Sequence, residues 1–599
     1  MSRPPSPRVA RTCRLCYDIS VFQGGGQLLR MDMRQAVCDL LGDAVLRAFP
    51  DLPMSELPQP EALEVPPDRE LGDFAFPCFR LSRPLRLAPN AIAEKVALAA
   101  DRPEVAGAKN VGGYVNFFFH RANFARNVLP DILEKGSRYG SLPENGQTVV
   151  LDYSSINIAK RFHIGHLSTT VLGNSLKRIY AHLGWKTVGV NHLGDWGTQF
   201  GKMIAAFKHW GDWGMVENGG IDALTALYVR FHRESAENPA LEDEGRAWFK
   251  RIEDNEPEAT EIFDRFKELT LKDAKKVYDL LGVTFDSFAG ESFYNDKMGR
   301  VVDELREKGL LRESDGAFVV DLEAEKMPPC LILKSDGATL YATRDLAAAL
   351  WRKDNYHFDK CLYVVAYQQD LHFRQVFKVL EKMGYGWARE QMVHVAFGMV
   401  SYEGRAMSTR EGVTVHLDEL LERAREKASG IIAEKSPGLA EKEDTARMVG
   451  VGAVVFATLV NSRIKDIDFW WDRALNFDGD TGPYVQYTHA RCASVLRKAE
   501  GPEGEPDYEA LTDDEAQAVL RLMSLFPEAV RAAQKDNEPS AVTRATLEIA
   551  KAFNRYYYEH RILDGSKAAS AARLRLTRGV KSVISLGLSL VGVEAPEQM

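Results

Sequence analysis

Asn157, Lys160, His163, Gly165 and His166 crowd into one short stretch. It lies between an apolar, β-branched run at Thr148–Leu151 and a helically spaced apolar pattern from Leu167 to Leu183. Two imidazoles at a helix start, where backbone N–H groups have no intrahelical partner, can donate to the oxygens of an anion. The glycine between them lets a flat ring approach the backbone. A further strand pattern, Thr187–Val190, delivers a second polar loop from Asn191 to Gln199. A lone His-x-x-His is ordinarily satisfied by local hydrogen bonds within a plain βαβ unit. The density of polar and glycine residues at both strand ends points instead to a nucleotide-type site. If the ligand is ATP, a second element must bring small hydroxyls and a cation to the triphosphate. Met407-Ser408-Thr409-Arg410-Glu411-Gly412 has that composition, with an ordinary polar hairpin as the alternative. It follows His394–Val400, whose backbone around Phe397 and Met399 is suited to reading an adenine edge.

The elements that must position these residues can be read from periodicity. Gln35–Phe49 is an amphipathic helix, followed by Pro-rich punctuation, a helix near Ala91–Ala100, a strand at Tyr114–Phe119 and a helix near Asn123–Gly136. Together they make a small α/β domain. Lys202–Glu307 is charged and mostly helical, as an insertion would be. Short strands are expected at Cys330–Lys334 and Thr339–Ala342, then a helix at Arg344–Arg352, a strand at Lys360–Ala366, a helix at Leu371–Met383 and a strand at Val393–Phe397. Strands alternating with helices imply a parallel, doubly wound sheet. From Val415 onward the patterns are helical to the end.

A chain of 599 residues exceeds one core and implies three or more domains. The formal net charge of −9 argues against unspecific coating of nucleic acid, although Ala541–Met599 is net positive. No apolar run is long enough to span a membrane. Seven cysteines give no disulfide framework, and the single C-x-x-C at Cys13 and Cys16 lacks a second pair, so no metal site is expected and the compartment reads as reducing and cytoplasmic. Residues 1–32 are Arg-rich and read as a disordered tail or an overlong start, with a transit peptide as the alternative.

Six segments in order resemble the arginyl-tRNA synthetases, which are class I aminoacyl-tRNA synthetases. They are NIAKRFHIGHLSTT, VNHLGDWGTQFGK, YATRDLAAA, YVVAYQQDLHFRQVF, HVAFGMV with MSTREG, and FDGDTGPYVQYTHAR. The resemblance runs from Met33 to Met599. It implies a Rossmann-like parallel-sheet catalytic domain at 146–400 with a helical insertion at about 202–307. A small N-terminal α/β domain at 33–140 would contact tRNA, a mobile signature loop and helical connection would fill 401–470, and an all-α anticodon-binding domain would take 471–599. The implied activity is ligation of arginine to tRNA(Arg) with Mg2+ and ATP as a substrate complex, no prosthetic group, and a monomeric protein.

The resemblance also implies roles for residues. Asn157, Glu291, Tyr341, Asp345 and Gln369 match the arginine pocket. That fits a guanidinium, a planar fork of donors that needs carboxylates and amide oxygens. His163, Gly165, His166, Phe397, Met399, Ser408 and Thr409 match ATP-binding positions. The signature loop lacks the lysine usual in class I enzymes, and Lys160, just ahead of His163, would supply that charge together with Arg410. Tyr114, Asn116, Tyr484, Tyr487, Arg491, Tyr557 and Met599 match tRNA-contacting positions. Aromatic stacking is how single-stranded bases are read, although tyrosines at helical spacing are more often core. Ile156 and Arg161 stand where the family commonly has proline, and Glu411 where lysine is common. Two rivals fit parts of the pattern: a nucleotidylyltransferase that uses no tRNA, and a silent tRNA-binding relative. The Tyr/Arg helix argues against the first, and the retained His163, His166, Tyr341 and Asp345 against the second.

Overall fold

The computed structural model describes residues 33–66, 68–100, 106–335, 339–406, 415–499 and 504–599. Ser408, Thr409, Arg410 and the segment 1–32 lie outside the described residues. The chain divides into two compact units. The first takes the described residues up to Lys135 with segments from Pro502–Ser524 and Ile562–Leu576; the second takes the remainder.

The first unit is built on an antiparallel sheet of β1 (Phe74–Pro77), β2 (Ala106–Val111) and β3 (Tyr114–Phe119), with β3 in the middle. Val115 and Phe117 of β3 are fully buried. Gly112 and Gly113 link β2 to β3 at φ 61° and 86°, the left-handed pair a two-residue hairpin turn requires. β2 was not among the expected strands, because Ala-Gly-Ala-Lys-Asn carries little β-propensity and is held by its pairing to β3. Helix Met33–Ala48 packs on helix Pro89–Ala100, which in turn packs on the sheet. Arg121 reaches Asp514 at 2.7 Å, joining the later segment to this unit.

The second unit holds a four-stranded parallel sheet. Its strands are β4 (Thr148–Asp152), β5 (Lys186–Val190), β9 (Lys360–Tyr363) and β10 (Met392–His394), in the order β10-β9-β4-β5. β4 is buried along its whole length, as an apolar strand covered on both faces should be. From β4 the chain moves to β5 on one side; from β9 it moves to β10 on the other. The switch point therefore lies between the carboxyl ends of β4 and β9, where open α/β sheets bind ligands. Helix Leu167–His182 follows β4 and helix Asp370–Lys382 follows β9. The insertion is helical as expected: Thr198–Trp210, Trp213–Glu237, Ala240–Glu253, Pro257–Leu281 and Met298–Glu307.

Three expectations are corrected. Cys330–Leu333 is a strand (β8), but it belongs to a separate antiparallel sheet with β6 (Leu311–Ser314) and β7 (Ala317–Val320). β6 and β7 turn at Asp315-Gly316, both left-handed, a hairpin signal the periodicity reading passed over. Thr339–Ala342 is not a strand. Thr339 makes one bridge to Leu333, and Tyr341 opens the helix Tyr341–Tyr356, where an Ala-rich run outweighs local β-propensity. The region from Val415 onward is not wholly helical: β13 (Ile467–Phe469) pairs in parallel with β11 (Val400–Tyr402), which also pairs with β12 (Arg405–Ala406). No helix among the described residues is long and apolar enough to cross a membrane.

Candidate active site

The loop after β4 is held in an unusual backbone path. Ser154, Ser155 and Ala159 have φ of 72°, 48° and 61°, each a left-handed non-glycine residue costing roughly 1–2 kcal/mol. Hydrogen bonds hold them there. The Ser154 N–H donates to Thr169 Oγ1 at 3.0 Å, Ser155 Oγ donates to Asp152 at 3.0 Å, and the Ala159 N–H donates to Thr270 Oγ1 at 3.0 Å. Tyr278 Oη lies 2.8 Å from both Ser154 Oγ and Asn191 Nδ2, so an insertion helix fastens the loops after β4 and β5 together.

His163 caps the short helical turn Ile164–His166. Its Nδ1 accepts from the Gly165 N–H at 3.1 Å, and His166 Nδ1 accepts from the His163 N–H at 3.3 Å. A neutral imidazole that accepts at Nδ1 carries its proton on Nε2. Burial lowers both pKa values, helped by His416 and Lys160 at His163 and by the His163 ring and Lys160 at His166, which falls to about 3. Two neutral rings 3.9 Å apart thus each offer an Nε2–H donor. Gly165 is required by contact as well as by access, since a Cβ there would sit 2.8 Å from the His163 ring. Lys160 is exposed, with no carboxylate partner among the described residues.

Acids lie beside the loop after β5 and the helix after β9. Glu291 opens a 3-10 turn just ahead of helix Met298–Glu307, its N–H bonded to Leu193 O at 2.9 Å. Burial raises its carboxyl to about 7, against the pull of Arg344 at 3.2 Å and with the push of Asp345 and Asp195. Asp345 lies in the helix that Tyr341 begins, and His372 Nε2 is 2.6 Å from its carboxylate. Burial acts to raise that carboxyl, but the hydrogen bond and charge of His372, with His192 and Arg352 nearby, hold it below its usual range. Tyr341 is 70% exposed at the helix start, and Gln369 is exposed in the turn after β9. Asn157 bridges to Gly194, where a Cβ would lie 2.1 Å from Asn157 Oδ1; this glycine clears the space the amide occupies.

Several positioning residues escaped the sequence reading. Asp195, fully buried, accepts from Lys267 at 2.5 Å and from the Ser292 N–H and Oγ at 2.8 and 2.7 Å, fixing the residue after Glu291. Arg352, also buried, pairs with Asp152 at 2.8 Å beneath the switch point, and its guanidinium lies 3.3 Å from His192 Nδ1. The signal was present in the polar string of residues 191–199, but not the partners.

Two ATP-site expectations change in kind. Phe397 is buried, and its carbonyl accepts the Tyr367 N–H at 3.0 Å. The Met399 N–H goes to Asp466 at 2.7 Å and its carbonyl accepts from Ile467 at 2.8 Å, so its backbone is engaged and only its 40% exposed side chain is free to meet a ligand. On the RNA side, Asn116 is corrected. It is 3% exposed in the central strand β3, a framework position and not a contact surface. Tyr114, half-buried, stacks edge-on to Phe79. Tyr484 and Tyr487 lie on helix Gly482–Lys498, and Arg491 sits 4.8 Å over the Tyr487 ring and 5.2 Å over Tyr557 from helix Ser540–Glu559. The C-terminal tail runs along the first of these helices through His489–Pro596 and Arg497–Glu597.

A parallel sheet with His163-Ile164-Gly165-His166 at its switch point is the arrangement of a class I aminoacyl-tRNA synthetase, and the family match settles that class. Residues 128–471 match the family described as tRNA synthetases class I (R), catalytic domain; residues 485–599 match the DALR anticodon binding domain, and residues 33–119 the arginyl tRNA synthetase N-terminal domain. The arginine–tRNA ligase of Alkaliphilus metalliredigens is 51% identical over 575 residues, covering 95% of this chain and all of that protein. That of Clostridioides difficile is 49% identical over 572 residues, again covering 95% of this chain. The solved arginyl-tRNA synthetase of Thermus thermophilus superposes with a TM-score of 0.80 at 28% identity, covering 95% of this chain and 100% of that one. The chain belongs to the arginine–tRNA ligase family.

Proposed function

We propose that this chain activates L-arginine with Mg·ATP to arginyl-adenylate and transfers the arginyl group to the 3′-terminal adenosine of tRNA(Arg). The observation that carries the reading is that the loops and helix starts at the carboxyl ends of the parallel strands hold both two Nε2–H donors, His163 and His166, and two carboxylates suited to a guanidinium, Glu291 beside the loop after β5 and Asp345 bonded to the helix after β9. The arginine carboxylate attacks the α-phosphorus in line and the bond to pyrophosphate breaks. No covalent enzyme intermediate is needed, so positioning and charge stabilisation carry the rate. His163 and His166 donate to phosphate oxygens without bringing a net charge. Lys160 supplies the cation, shared with Arg410, while Ser408 and Thr409 contact the phosphates. Asn157, Tyr341 and Gln369 complete the arginine pocket.

We assign residues 33–140 to a tRNA-contacting domain, 146–400 to catalysis and 471–599 to the anticodon, joined by 401–470. The exposed Tyr487 and Tyr557 rings support that assignment. The five described cysteines are free and buried, in keeping with a reducing, cytoplasmic compartment; the protein acts as a monomer.

Arginine-dependent ATP–pyrophosphate exchange, with and without tRNA(Arg), tests the whole reading. Exchange is expected only with both arginine and tRNA, and lysine should not replace arginine because an ammonium cannot fill a planar fork. Absence of exchange under every condition would favour a silent tRNA-binding relative. Full exchange without tRNA would remove the tRNA requirement.

A further inference from the structure

Arg161, two residues ahead of His163, is held by three carboxylates from two distant parts of the second unit. Its guanidinium lies 3.3 Å from Asp222 of the insertion, 2.9 Å from Asp418 and 3.0 Å from Glu419. Asp418 and Glu419 occupy the first turn of helix Leu417–Lys435, immediately after the first described residues beyond the segment carrying Arg410. Beside this cluster the same two stretches meet through their backbones. The Ile164 N–H donates to Val415 O at 3.0 Å, the Leu417 N–H donates to Phe162 O at 2.9 Å, and His163 pairs with His416 as an antiparallel bridge.

Two backbone hydrogen bonds make a short seam, each contributing only about 0.5–1.5 kcal/mol net. An exposed ion pair is weak alone, but a network on one planar guanidinium differs in kind. Arg161 is 19% exposed, whereas its partners are 45–66% exposed, so one cation two residues ahead of His163 gathers three acids that would otherwise repel each other. We propose that Arg161 is a positioning residue for ATP: it locks the His163 turn to Val415–Glu419 and neutralises the acids gathered there. The inference rests on the proposed reaction, and binding is measured separately so that the two can fail independently.

The test compares wild type, Arg161→Gln, Arg161→Lys and Asp418→Asn/Glu419→Gln. The readouts are arginine- and tRNA-dependent exchange and equilibrium binding of a non-hydrolysable ATP analogue. Arg161→Gln should raise the KM for ATP and weaken analogue binding by about tenfold or more, the scale of a sub-ångström misplacement, with the KM for arginine unchanged. Arg161→Lys should recover part of the loss. The double acid variant, which leaves the arginine in place, should weaken ATP less than Arg161→Gln but in the same direction. Unchanged analogue binding in both Arg161→Gln and the double acid variant would overturn the proposal, as would equal losses for ATP and arginine. An inactive wild type that still binds the analogue would sink the proposed reaction and leave the binding comparison to decide the role of Arg161.

Discussion

The Glu291 carboxylate stands 3.2 Å from the Arg344 guanidinium, so the acid expected to receive the substrate's guanidinium already faces one belonging to the chain. The contact is a bond from Arg344 Nη1, and among the described residues Arg344 Nε is buried without a partner. Burial still outweighs this attraction and holds the Glu291 carboxyl at about 7. A second guanidinium, arriving with the substrate, would tip it to the ionised form.

A pH dependence follows. Only ionised Glu291 pairs with a guanidinium, so arginine affinity should increase as pH rises from about 6 to 8, with proton release on binding near neutrality. Calorimetry in buffers of different ionisation enthalpy measures that release, and a Glu291→Gln variant should lose it. The stability sign is the reverse. An acid whose folded pKa lies above its unfolded value favours folding below the unfolded pKa, and that contribution is lost as pH rises through about 7. Glu291→Gln should therefore bind arginine poorly yet be more stable than wild type at pH 8, by on the order of 3 kcal/mol.

Asp345 should separate the two substrates. Its carboxylate is partly buried, held by His372, and sits on the helix begun by Tyr341. Asp345→Ala removes a partner from a desolvated guanidinium, a loss of about 3–5 kcal/mol. The KM for arginine should rise by two orders of magnitude or more, roughly, while the KM for ATP moves little. Parallel increases in both constants would argue that Asp345 supports the fold and not the arginine pocket.

His166 should act without titrating. With its pKa held near 3, it is neutral across the working range, so no activity step near pH 6.5 should belong to it. Removing one preorganised donor typically costs 10²–10³ in rate, so His166→Ala should lower single-turnover adenylate formation by about that factor. The sign for stability is clear: the unfolded imidazole binds a proton below about 6.5 and the folded one does not, so stability falls as pH drops from there toward 3. His166→Ala should flatten the acid limb of the unfolding curve, read by circular dichroism.

Most of the site's framework was legible because it is local. An apolar strand, a polar loop and a 3.6-residue period announce β4, the His163 turn and the helix Leu167–His182 within one stretch. What was illegible depends on partners far along the chain. Asp195 is 97 positions from Ser292, Arg344 is 53 from Glu291, and Arg161 is 257 from Asp418, and no period in the sequence joins such pairs. Thr339–Ala342 misled for a related reason: strand-like residues met one bridging partner and then a helix that buries Ala342, Leu346 and Leu350. Asn116 shows the limit of matching positions without burial, since a matched residue in a central strand can be covered, as this one is at 3% exposure.

The Arg491 guanidinium between Tyr487 and Tyr557 supplies the test on the RNA side. The three come from two helices packed in the same unit, and both rings remain partly exposed, at 40% and 39%. Arg491 is also bonded to Asn554, so its plane is fixed before any base arrives. Core tyrosines would be hidden, as Tyr556 is at 0%, whereas these rings keep a face toward solvent. Stacking on such a ring contributes about 1–3 kcal/mol per base. Tyr487→Ala and Tyr557→Ala should each raise the KM for tRNA(Arg) by about 5- to 150-fold, and Tyr487→Phe, which keeps the π face, should raise it far less. Because exchange is expected to need tRNA, the control is performed at saturating tRNA, where the KM for arginine should match wild type. A Phe variant as weak as the Ala variant would point to hydroxyl bonding in place of stacking. Ala variants indistinguishable from wild type would remove this face from the RNA interface.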